Sequence, residues 1–114
     1  MARVKGGVNA KKKHNKILKL AKGFYGSKHK IFSAANPAVM RALRSAQMGR
    51  KLRKREYRKL WIQRINAAAR QYGISYSQFM GKLAKQNIGL NRKVLADLAM
   101  NNPQAFEAIV NSVK

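Results

Sequence analysis

The run Arg50-Lys-Leu-Arg-Lys-Arg-Glu-Tyr-Arg-Lys-Leu-Trp-Ile-Gln-Arg-Ile-Asn-Ala-Ala-Ala-Arg70 contains neither proline nor glycine, and within it a nearly solid block of positive charge passes into an amphipathic segment. The region without strong breakers is longer still. It opens at Asn36-Pro37, a good helix start with Asn as cap and Pro at the first helical position, and it runs to Gly73. Gly49, inside it, costs helix stability without forbidding the helix. The pattern predicts one helix of roughly 35 residues, or about 50 Å at the usual rise. The alternative is a helix that begins near Ser33 and bends at Pro37. A domain of this size cannot bury such a rod along its whole length.

Two apolar stripes mark the rod: Val39, Met40 and Leu43 near its start, then Tyr57, Trp61, Ile65, Ala68 and Tyr72 near its end. Between them Arg50, Lys51, Arg53, Lys54, Arg55, Arg58 and Lys59 point in nearly every direction on a helical wheel. A charged helix facing water usually intersperses both signs. Here only Glu56 is available, at three-residue spacing from Arg53 and Lys59, and it offsets little of the repulsion. The block therefore implies phosphates approaching from more than one side. Trp61 falls four residues from both Tyr57 and Ile65, which favours packing over base stacking.

Charge is divided unevenly. Residues 1–59 carry nineteen Lys or Arg against one acidic residue, and residues 60–114 carry seven against two, for a net charge of +23. The asymmetry predicts a basic extension over 1–59 attached to a folded domain over 60–114. A polyanion would relieve the self-repulsion, and nucleic acid leads. No membrane partner is expected: there is no long apolar run, and the first residues are too polar for a secretory signal, which makes a cytoplasmic location the expectation. A chain without cysteine has no disulfide, thiolate zinc site or catalytic thiol. The three acidic residues are scattered, His14 and His29 lie among lysines, and no phosphate-binding glycine motif occurs. Neither enzyme activity, nor a cofactor, nor a metal is expected.

In chain order, residues 1–8 read as an irregular tail. Asn9 is positioned to cap a helix over 10–22, with Gly23 to end it and Ile17, Leu18 and Ala21 as its narrow apolar stripe. Phe24-Tyr25-Gly26-Ser27 reads as a turn whose rings either anchor it on a neighbouring helix or stack on an unpaired base, and Ser27 as the cap of a segment over 28–32. Beyond Gly73, Ser75 and Gln78 form a capping box before Tyr76, Phe79, Met80, Leu83 and Ala84, and residues 87–89 end that helix. Asn91 caps a second helix with Val94, Leu95, Leu98 and Ala99 inward. Asn102-Pro103 starts a third, with Phe106, Ile109, Val110 and Val113 inward. The fold class is all-α: a long basic N-terminal helical extension continuing into a small helical bundle.

The segment Lys54-Arg-Glu-Tyr-Arg-Lys-Leu-Trp-Ile-Gln-Arg-Ile-Asn-Ala-Ala-Ala-Arg70 resembles the hallmark of the bacterial large-subunit ribosomal protein twenty family. The resemblance extends to Met1-Ala-Arg-Val-Lys-Gly-Gly7, Lys22-Gly-Phe-Tyr-Gly26, Gly73-Ile-Ser-Tyr-Ser77 and Arg92-Lys-Val-Leu-Ala-Asp-Leu-Ala99, so it covers essentially the whole chain. Gln63 and Pro37 depart from the usual pattern. The resemblance implies an extension threaded into domain II of 23S ribosomal RNA, a role early in subunit assembly, neighbouring large-subunit ribosomal proteins as partners, and in some bacteria repression of translation from the protein's own mRNA. It also implies residence in the large ribosomal subunit; no homo-oligomer is expected.

Carried over by position, the resemblance implies that Arg3, Lys5, Lys11, Lys12, Lys13, Lys16, Lys19, Lys22 and Lys28 line the RNA-bound arm. Arg50, Lys51, Arg53, Lys54, Arg55, Arg58 and Lys59 would hold the rod against several RNA helices. Arg64 and Arg70 lie near the bundle, where phosphate contact and packing are both open. The competing reading, a nucleoid-type DNA-binding protein, uses the same charge but needs a preference for duplex DNA.

Overall fold

The computed structural model describes Arg3 and residues 5–114. Among them are five α-helices, one 3-10 turn over Gly26–His29 and no strand. The helices are α1 (Gly7–Leu20), α2 (Phe32–Gln71), α3 (Tyr76–Lys85), α4 (Arg92–Asn101) and α5 (Pro103–Val113). The chain divides into two compact units, Met1–Lys51 and Leu52–Lys114, and the boundary falls inside α2. The predicted all-α class and the long helix followed by a small helical region are observed.

In the first unit Ala21, Ala35 and Val39 are buried, with Ile17, Leu18 and Phe24 packed against them. His14 stacks on Phe32 at a ring separation of 3.9 Å. Two expectations fail here, and a third, left open, is decided. Helix α1 starts at Gly7, not after Asn9: the Gly6 carbonyl accepts the Ala10 N–H at 3.0 Å, and no side chain caps the end. Ser27 does not cap by its side chain either; its carbonyl accepts the Lys30 and Ile31 N–H groups at 3.0 and 2.9 Å. Helix α2 begins at Phe32, so Asn36-Pro37 lies within it, in keeping with the alternative of a start near Ser33. The reason is tertiary: Phe32, Ala35 and Val39 all find partners in α1 or the residue after it. A proline at this depth deprives the Ser33 carbonyl of one i+4 donor, and the packing of the first turns outweighs that loss. Of the first stripe only Val39 is buried, while Met40 and Leu43 are exposed, because α1 ends before reaching them.

The second unit has the larger core: Ile65, Ala69, Ile74, Phe79, Leu83, Leu95, Ala96, Phe106, Val110 and Val113 are buried together. Phe106 sits 5.5 Å from Phe79 and 6.4 Å from Tyr72, ring centre to ring centre. The second stripe is inward at Trp61, Ile65, Ala68 and Tyr72, but Tyr57 is exposed, and Ala69, outside the stripe as predicted, is fully buried. Two further faces are turned slightly from expectation, with Ala84 and Val94 exposed and Ala96 buried.

Helix ends in this unit follow local chemistry closely. Ser75 Oγ accepts the Gln78 N–H while Gln78 Oε1 accepts the Ser75 N–H, closing the predicted capping box. Asn91 and Asn102 accept the N–H groups of Val94 and Ala105. At the end of α2, Gly73 takes a left-handed φ of 78°, and the Ile74 N–H reaches back to the Ala69 carbonyl while the Gly73 N–H reaches Arg70. This is the paired-bond ending that a glycine beyond the last helical turn makes possible. Asn87, at φ 56°, ends α3 in the same way, with Ile88 bonded to Leu83 and Asn87 to Ala84.

Candidate nucleic-acid interface

Helices expose what they do not bury, and in the first unit the charged side chains are Lys and Arg alone, with no Asp or Glu among them. Arg3, Lys5, Lys11, Lys12, Lys13, Lys16, Lys19, Lys22 and Lys28 are all exposed. So are Lys30, Arg41 and Arg44, which the positional argument passed over although their charge alone was signal enough. No Asp or Glu precedes Glu56 in the sequence. The anion-binding potential of this unit is therefore not diluted by any carboxylate of its own, and with low screening such a surface attracts a polyanion over a Debye length, about 10 Å at 0.1 M salt.

Around the midpoint of α2, Arg50, Lys51, Arg53, Lys54, Arg55, Arg58 and Lys59 are exposed. Every residue of the run 50–59 is in fact exposed, Leu52 and Tyr57 included, so no face of the helix is reserved for protein there. Glu56 is engaged by Lys59 at 3.1 Å, in a pair whose side chains are 63% and 70% exposed, and such surface pairs contribute little. The pairing with Arg53 that the spacing also allowed is not formed among the described residues. Among the described residues no hydrogen bond or ion pair engages the side chains of the other cations of the block.

Closer to the bundle, the cations serve protein structure as well. Arg64 is half-buried and lines, with Trp61, Asn91, Lys93 and Asp97, an open cleft of about 550 Å³. Arg70 Nε donates to Asn66 Oδ1 at 3.3 Å, the same oxygen that accepts the Tyr76 N–H, so this Arg helps to fix the start of α3. Arg92 Nε donates to the Tyr76 hydroxyl at 2.8 Å. Lys82 Nζ donates to the carbonyl of Lys114 at 3.0 Å. Trp61 is half-buried against the second core, and its ring lies 6.3 Å from that of Tyr57.

No group of three or more potential metal ligands comes together among the described residues. Among them no polar or charged residue is buried, so no ionisable group sits in a dry site where its chemistry could be tuned. His29 is tied into the turn, donating from Nδ1 to the Phe24 carbonyl at 2.7 Å, and His14 is stacked on Phe32. No described helix is long and apolar enough to cross a membrane.

The model of the family described as ribosomal protein L20 matches residues 3–109. The chain belongs to the ribosomal protein L20 family. Similar relatives include proteins from Clostridium botulinum strain Hall and Clostridium tetani, each bearing the name large ribosomal subunit protein bL20. Each is 57% identical over 114 residues, covering 100% of this chain and 96% of the relative. In this member of the L20 family, the cationic surface is the feature that composition and structure have in common. The sequence resemblance is thereby confirmed at the level of the family.

Proposed function

We propose that this chain is a structural protein of the large ribosomal subunit that binds 23S ribosomal RNA directly, acts in the cytoplasm, supports early subunit assembly and performs no chemistry on its own. The observation that carries this reading is the run 50–59, exposed on every side and cationic at seven of ten positions. A helix in water gains nothing from that arrangement, whereas folded RNA can present phosphates to several of its sides at once. Residues 1–59 act as the RNA-binding extension and residues 60–114 as the globular domain.

Phosphate contacts supply affinity and orientation with little sequence choice. Arg3, Lys5, Lys11, Lys12, Lys13, Lys16, Lys19, Lys22 and Lys28 serve the arm, and the Arg50 to Lys59 cations with Arg64 serve the middle of the molecule. Binding early in assembly follows from this chemistry, since a strongly charged arm adds most when the RNA segments it joins are still repelling one another. Neighbouring large-subunit proteins are its protein partners. The same surface accepts a messenger segment of similar shape, which is the physical route to repression of its own translation.

The experiment is a salt titration of full-length protein binding to a 23S RNA transcript. With roughly ten phosphates neutralised, log affinity falls against log salt with a slope on the order of −7 to −9. A slope near −2, or tighter binding to duplex DNA than to the transcript, would sink the proposal. Retention on large subunits through a high-salt wash in a sucrose gradient is the matching result with assembled particles.

A further inference from the structure

Phe24 and Tyr25 are adjacent in sequence and opposite in fate. Phe24 is packed against the Ala21, Ala35 and Val39 cluster, whereas Tyr25 is 93% exposed, more than any other large apolar side chain described. The backbone on either side is already fixed. The Phe24 N–H donates to the Ala21 carbonyl at 3.1 Å, His29 holds the Phe24 carbonyl at 2.7 Å, and Gly26 turns the chain at φ 65°. An aromatic ring presented to solvent from a pinned turn loses little freedom when a partner covers it.

Beside it lies a cleft of about 380 Å³, walled by Phe24, Tyr25, Ala34 and Pro37 and lined also by Lys28 and Arg41. We propose that Tyr25 and this cleft form a stacking site for a single unpaired nucleotide, a reading that rests on the RNA-binding function proposed above. Apolar walls and an open ring suit the flat face of a base, and the two cations suit the phosphate attached to it. Residues 1–55 contain no Asp or Glu, so the first unit supplies no carboxylate to repel that phosphate. A paired base has both faces covered by its stack, so the occupant is a nucleotide from a loop, bulge or junction. An acidic protein side chain would satisfy Lys28 and Arg41 but would leave the ring uncovered.

The test measures affinity and salt slope of the full-length chain for a 23S RNA transcript, comparing Tyr25→Ala, Tyr25→Phe and Lys28→Gln, with ultraviolet cross-links from Tyr25 mapped on the RNA. Tyr25→Ala weakens binding about fivefold or more, as the loss of one stacked base should, with no change in slope. Tyr25→Phe stays within about twofold, because phenylalanine keeps the ring. Lys28→Gln makes the slope shallower by nearly one, as the loss of one phosphate contact requires. The cross-link falls on an unpaired nucleotide. A Tyr25→Ala variant that binds like the parent, or a cross-link only to paired nucleotides, overturns the stacking site while a steep slope leaves the RNA-binding function standing. A shallow slope in the parent chain overturns both.

Discussion

Phe106 and Asn102 lie four residues apart and illustrate two kinds of contribution to the bundle. Phe106 is buried at 1% exposure between Phe79 and Tyr72, so removing its ring loses transfer energy and leaves a cavity. Asn102 is exposed and supplies one bond to the otherwise unpartnered Ala105 N–H at the start of α5. We expect Phe106→Ala to cost about 3–5 kcal/mol. Asn102→Ala should cost about 1 kcal/mol, the usual value of an N-cap. Trp61, the sole tryptophan, packs against the same core and reports denaturant unfolding by its fluorescence. Equal costs for the two variants would mean that the aromatic cluster is not the centre of this unit. Both residues were legible beforehand, since Asn-Pro is a local signal and Phe106 repeats with Ile109, Val110 and Val113 at helical spacing. Tyr25 was not fully legible. Two adjacent aromatics carry no local mark of which one turns inward, and the answer came from Ala35 and Val39 in another helix.

Helix ends divide along the same line. The starts of α3, α4 and α5 were read correctly because Ser75, Asn91 and Asn102 cap through atoms three residues away, within the reach of local sequence. The start of α1 was not, because its boundary depends on backbone at Gly6, and that of α2 stayed open between Ser33 and Pro37 because the choice rests on Phe32 stacking upon His14, eighteen residues upstream. Charge was legible at once, being a sum over residues, but the release of Glu56 to Lys59 alone, and the contribution of Arg41 to a cleft, needed coordinates. Among these elements the end of α2 is the most exacting, since Gly73 must adopt φ 78° for Ile74 to turn into the core. Nothing fills the space where a side chain would begin, so the cost of Gly73→Ala is conformational rather than steric against neighbours. We expect about 1–2 kcal/mol of destabilisation, the usual penalty for a left-handed non-glycine residue. Denaturant melts read at Trp61 check it. A Gly73→Asn variant should recover part of the loss, as Asn87 tolerates the same conformation at the end of α3.

At the scale of the whole molecule, two cores of unequal size share one chain of net charge +23. Among the described residues the second unit buries ten around Phe79 and Phe106, while the first buries only Ala21, Ala35 and Val39. A cluster so small can do little to offset the entropy of ordering α1, and repulsion among its lysines opposes it further. Salt therefore acts with opposite sign on the two equilibria of the protein. Added salt screens the lysines from one another and favours the helical arm in the free chain. It also removes the counterion-release contribution and weakens binding to RNA. Raising NaCl from about 50 to 500 mM, where the Debye length shortens from somewhat above 10 Å toward a few ångströms, should raise the helical circular dichroism of the free full-length chain. Over the same range its affinity for a 23S RNA transcript should fall by several orders of magnitude. Helicity that declines with salt would mean that the arm is held by internal attraction, and the self-repulsion argument would then be wrong. Opposite trends would mean that the phosphates that hold the arm in place also neutralise the lysine repulsion that opposes its helix.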